Sequence, residues 1–127
     1  MGSALVNAAN LDSSIILQRA YIDILNQITP LEAEILMKVY SLPFERVSHE
    51  GVEIGWLPVE VRIGKDDGRE DDLPVPSDEI KLALANLARL GCLSLQRSWG
   101  GGEIYKKVNP TLLGRSFVEA CTLQPAR

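Results

Sequence analysis

One histidine and two cysteines are present in 127 residues. His49, Cys92 and Cys121 stand far apart in the chain. A structural zinc site, which takes four nitrogen and sulfur ligands, is therefore not expected. Nor does any run approach the ~18 uninterrupted apolar residues of a membrane span. The longest candidate, Ile15 to Ile28, is broken by Gln18, Arg19, Asp23, Asn26 and Gln27. The opening Met1-Gly2-Ser3 lacks the basic region of a secretory signal and reads as a cloning scar. Enzyme signatures are missing as well: no G-x-S-x-G elbow, no H-E-x-x-H pair and no G-x-x-x-x-G-K loop. Gly100-Gly101-Gly102 is not followed by a helix bearing Lys, Ser or Thr, so it reads as a turn and not as a phosphate cradle. The expectation is no catalytic residue, no cofactor, no metal and no small-molecule substrate.

What is there is ordinary for a globular domain: 46% apolar and 24% charged residues. A chain of this length buries enough surface for one core without a metal or a disulfide. Both cysteines lie in apolar segments, so they are expected to be small core residues in a reducing cytoplasm. Net charge is −4 but unevenly spread: residues 1–79 sum to −9 and residues 80–127 to +5. The segment Gly64 to Asp72 alone carries five carboxylates against two cations and reads as a solvated acidic loop.

Periodicity and caps divide the chain. Asp12-Ser13-Ser14 offer caps to a helix over Ile15 to Ile28, whose stripe is read as Ile15, Ile22, Leu25 and Ile28. Extra apolar residues suggest burial on more than one side. Thr29, Pro30 and Glu32 form a capping-box signature for a second helix to about Tyr40, with Leu31, Ala33, Ile35, Leu36 and Val39 apolar. Tyr21 and Tyr40 are expected to pack on helices with their hydroxyls in water. Between Ser41 and Pro76 one or two short strands are expected, the clearest from the alternation of Val59, Val61 and Ile63. His49 is read as a surface loop residue and Trp56 as a lid on the core. Ser77 caps a strong helix over Asp78 to Leu90, and Gly91 is placed to end it. Two strands, Cys92 to Arg97 and Ile104 to Val108, flank the glycine-rich turn, and a last helix runs from Leu112 to about Leu123.

This order resembles the plan of a winged helix: helices, a capped helix, a two-stranded wing with a glycine-rich tip, then a short helix. The fold expected is α+β and winged-helix-like over 29–123, with an additional N-terminal helical segment over 1–28 and a tail over 124–127. Two phrases carry a closer resemblance. One is Ile22 to Leu36, with Gln27-Ile28-Thr29-Pro30-Leu31-Glu32 at its centre. The other is Leu84 to Leu93, taken together with Leu113 to Cys121. Together they are similar to the C-terminal region of the abortive-infection alpha (Abi-alpha) family, over about residues 4–122. The resemblance implies a bacterial protein linked by its family name to phage defence. It also implies a longer parent with a helical region upstream. It brings no catalytic residues.

A partner surface would use the exposed face of helix 78–90 and the wing. The candidate contact residues are Lys81, Asn86, Arg89, Arg97, Lys106 and Lys107, with Trp99 at the tip. Trp99 either folds back on the wing or stands out as a contact anchor. Cations of this kind suit phosphates. Against a nucleic-acid role, Asp78 and Glu79 stand where a recognition helix meets DNA, and Leu82 and Ala85 interrupt its outward face. The reading is a cytoplasmic, non-catalytic module that meets a protein partner or a second copy through the first helix. A DNA-binding regulator is the alternative.

Overall fold

The computed structural model describes residues 18–65, 72–97 and 100–122. The expected start of the first helix at Ile15, most of the acidic loop, Trp99 and the tail lie outside the described residues. Among the described residues, five helices and a four-stranded antiparallel sheet make an α+β fold.

Helix α1 covers 18–27, and α2 (Pro30–Val39) follows after only Ile28 and Thr29. The break is built by the capping box. The Glu32 N–H donates to the Thr29 hydroxyl at 3.2 Å, and the Thr29 N–H donates to the Glu32 carboxylate at 3.0 Å. Pro30 occupies the first turn, where a missing N–H costs nothing. Ile35, Leu36 and Val39 of α2 enter the core. On α1 the buried stripe is Ile24, flanked by Tyr21 and Ile28. This corrects the expected stripe, because Ile22 is 56% and Leu25 52% exposed. Both sets have helical spacing; which one is buried is decided by where α2 and Phe117 stand, not by α1 alone.

The stretch after Pro43 is a helix, α3 (Phe44–Glu50), where irregular chain was expected. Proline holds φ near the helical value and so can open a turn as well as close one. With Val47 as its one buried residue, α3 has no apolar period to betray it. His49 accordingly lies exposed on a helix, not in a loop. Gly51 ends α3 at φ 79°, and its N–H reaches the Val47 carbonyl at 2.8 Å. Strands β1 (Val52–Glu53) and β2 (Arg62–Ile63) are two residues each. Val59 belongs to neither: it is 77% exposed in a turn where its N–H bonds the Trp56 carbonyl. The two short strands expected in this stretch are thus present, but the alternation marks a strand only at Arg62–Ile63.

Helix α4 (Asp78–Arg89) is capped by the Ser77 hydroxyl and buries Ile80, Ala83, Leu84 and Leu87. Gly91, at φ 82°, turns the chain into β3 (Leu93–Arg97), which pairs with β4 (Glu103–Pro110). The sheet order is β2-β1-β4-β3. The register runs Leu95↔Val108 and then Gln96↔Ile104, so 105–107 of β4 have no partner on β3; Lys107 faces Glu53 of β1 instead. Val52, Ile54, Leu93 and Val108 close the core against α2 and α4.

Helix α5 (Leu112–Thr122) is fastened by one hydroxyl. Tyr40 donates to the Cys92 carbonyl at 2.6 Å and accepts from the Thr111 N–H at 2.9 Å. Its hydroxyl is thus spent inside the protein and not in water. Thr111 in turn donates to the Gly91 carbonyl at 2.6 Å and accepts from the Gly114 N–H at 2.9 Å, capping α5. Gly114 is required, because a Cβ there would overlap the Tyr40 hydroxyl and the Cys92 carbonyl.

Tyr40→Phe is expected to lower stability by about 1–3 kcal/mol, the cost of leaving buried polar groups unmet. Urea denaturation measures it, and an unchanged midpoint would sink the assignment. Burial raises the Tyr40 pKa above its ordinary 10.0. The sign follows: this contribution is full below pH 10 and is lost as pH rises through the folded-state value. Alkaline destabilisation above pH 10 should be shallower in Tyr40→Phe than in the parent chain.

Candidate interaction surface

Two polar side chains of α4 are engaged by the neighbouring helices. Asn86 donates its amide to the Gln27 carbonyl at 3.1 Å and to the Glu32 carboxylate at 2.8 Å. Arg89 grips the Asn86 side-chain oxygen at 2.7 and 3.1 Å and reaches the Gln27 side chain at 3.2 Å. These bonds tie the end of α1, the capping box of α2 and the last turn of α4 into one network. Asn86 and Arg89 are thus brought together: Asn86 is half-buried and bonded within the chain, and Arg89 is exposed with its Nε and Nη2 engaged.

The remaining candidates are scattered. The Lys81 ammonium lies 5.6 Å from the Tyr105 ring centroid, joining α4 to β4. Arg97 is exposed and donates to the Gly101 carbonyl at 3.2 Å, across the hairpin. Lys106 and Lys107 point to opposite faces of β4, as neighbours in a strand must. Lys107 is buried and donates to the Lys65 carbonyl at 3.2 Å. Lys106 is half-buried and engaged. Asp78 and Glu79 stand exposed in the first turn of α4, and Leu82 is 72% exposed.

A cleft of about 220 Å³ opens beside the β1–β2 pair. Arg62 lies flat on the half-buried Trp56, 3.8 Å from the ring centroid. It is held there by Glu60 at 3.1 and 3.2 Å, a contact that also lowers the Glu60 pKa. Glu53 is 5% exposed at the floor, between Arg62 and Lys107 on the neighbouring strands. Among the described residues no three His, Cys, Asp or Glu side chains converge so as to hold a metal ion.

The largest departure from the sequence reading is apolar. Leu25 of α1, Met37 of α2 and Val118 and Cys121 of α5 line a recess of about 110 Å³. It continues past Leu25 and Cys121 into a wider hollow of about 470 Å³ bordered by Tyr21 and Ala120. Met37 is 51% exposed. Cys121 is exposed, which corrects its expected place in the core: α5 buries Gly114 and Phe117, and Cys121, a turn beyond Phe117, lies where the packing ends. Sequence held one sign of this face, the surplus of apolar residues on α1. No helix among the described residues is long and apolar enough to cross a membrane.

A family model described as abortive infection alpha matches residues 3–121. Neither a curated protein nor a solved structure matches the chain.

The two thiols should differ sharply in reactivity. Cys92 is wholly buried, and burial pushes its pKa up to about 11. Near neutral pH, iodoacetamide should modify Cys121 in the native protein and Cys92 only after denaturation. Peptide mass spectrometry reads the outcome, and early labelling of Cys92 would contradict the packing described.

Proposed function

The chain belongs to the abortive infection alpha family, and from that premise we propose that it serves phage defence as a non-catalytic interaction or self-association module. It works in the bacterial cytoplasm on a winged-helix-like frame. Three features favour that frame. Helix α4 leads directly into the β3–β4 hairpin, β4 also pairs with β1, and α5 follows the hairpin. One feature departs from the plain pattern: β1 and β2 occupy the stretch between α3 and α4.

A single observation carries the interaction reading: the surface is inverted relative to that of a nucleic-acid reader. Asn86, which would read a groove, is bonded within the chain and Arg89 is partly engaged beside it, whereas Leu25 and Met37 face outward. Phosphate recognition draws on free cationic donors, and base readout draws on unpaired amides and guanidinium groups. Apolar exposure on adjoining helices is instead the mark of a protein contact.

Two measurements test it. At low ionic strength the purified chain should not retard duplex DNA. Retardation that weakens steeply with salt and is lost in Lys81→Glu/Lys106→Glu would overturn the reading in favour of a DNA-binding regulator. In cells protected from phage by the intact protein, Met37→Asp should abolish protection and Lys81→Glu/Lys106→Glu should leave it intact. The reverse pattern would overturn the reading. Met37 is half-exposed, so the circular dichroism of the variant should match the parent.

A further inference from the structure

No further inference is drawn: the strongest candidate, the apolar face of α1, α2 and α5 around Leu25, Met37 and Cys121, belongs to the surface already described, and nothing in the structure shows what covers it.

Discussion

One tyrosine hydroxyl holds the ends of three segments together. Tyr40 closes α2 as its C-cap, and its ring places the hydroxyl between the Cys92 carbonyl, where β3 is about to begin, and the Thr111 N–H, where α5 begins. Each of those backbone groups sits at a boundary where regular pairing has stopped and an orphan is left over. A single group that both donates and accepts meets two of them at once. Thr111 extends the chain of bonds to Gly91 and Gly114, so the turn after α4 and the entry to α5 are set by one connected network. Gly91 and Gly114 are the residues that this crossing demands. The first takes a positive φ; the second leaves room for the hydroxyl.

Much of the frame was legible because its signals are local. The Thr29–Glu32 capping box, the Ser77 cap, the stripe of α4 and the stop at Gly91 are all present as expected, since each depends on residues within one or two turns. Misreadings arose where the deciding partner lies elsewhere in the chain. Helix α1 offers two apolar stripes, and only Phe117, almost a hundred residues on, shows which is used: its ring lies 6.0 Å from that of Tyr21. Tyr40 was expected to reach water because its two hydrogen-bond partners are more than fifty residues away. Helix α3 was hidden by brevity. Seven residues with one buried position leave no period to detect.

The candidate surface differs from the sequence reading in kind and in place, being apolar and on α1, α2 and α5. Sequence alone placed the polar candidates on α4 and the hairpin, and the geometry ties Asn86 and Arg89 to α1 and α2. The sequence could not disclose this, because Gln27 and Glu32 appear to belong to a neighbouring helix with its own cap to satisfy. In fact one Glu32 carboxylate oxygen serves both the Thr29 N–H and the Asn86 amide. The Asn86 amide cannot both lock the helices and remain free to read a ligand.

That competition falls at one junction of the fold. The Gln27–Glu32–Asn86–Arg89 network lies at the junction of α1 with α2, and Leu25 precedes it by two residues. The end of α1 is held by hydrogen bonds at Gln27, while its inner face rests on Ile24 and Tyr21. Hydrogen bonds of defined length resist sliding more than apolar packing does, because packing has no preferred direction while a bond fails steeply once its angle is lost. The end of α1 is thus tied to the last turn of α4, and α4 runs through Gly91 into the hairpin. The donors of Asn86 thus hold α1, α2 and α4 together at one junction.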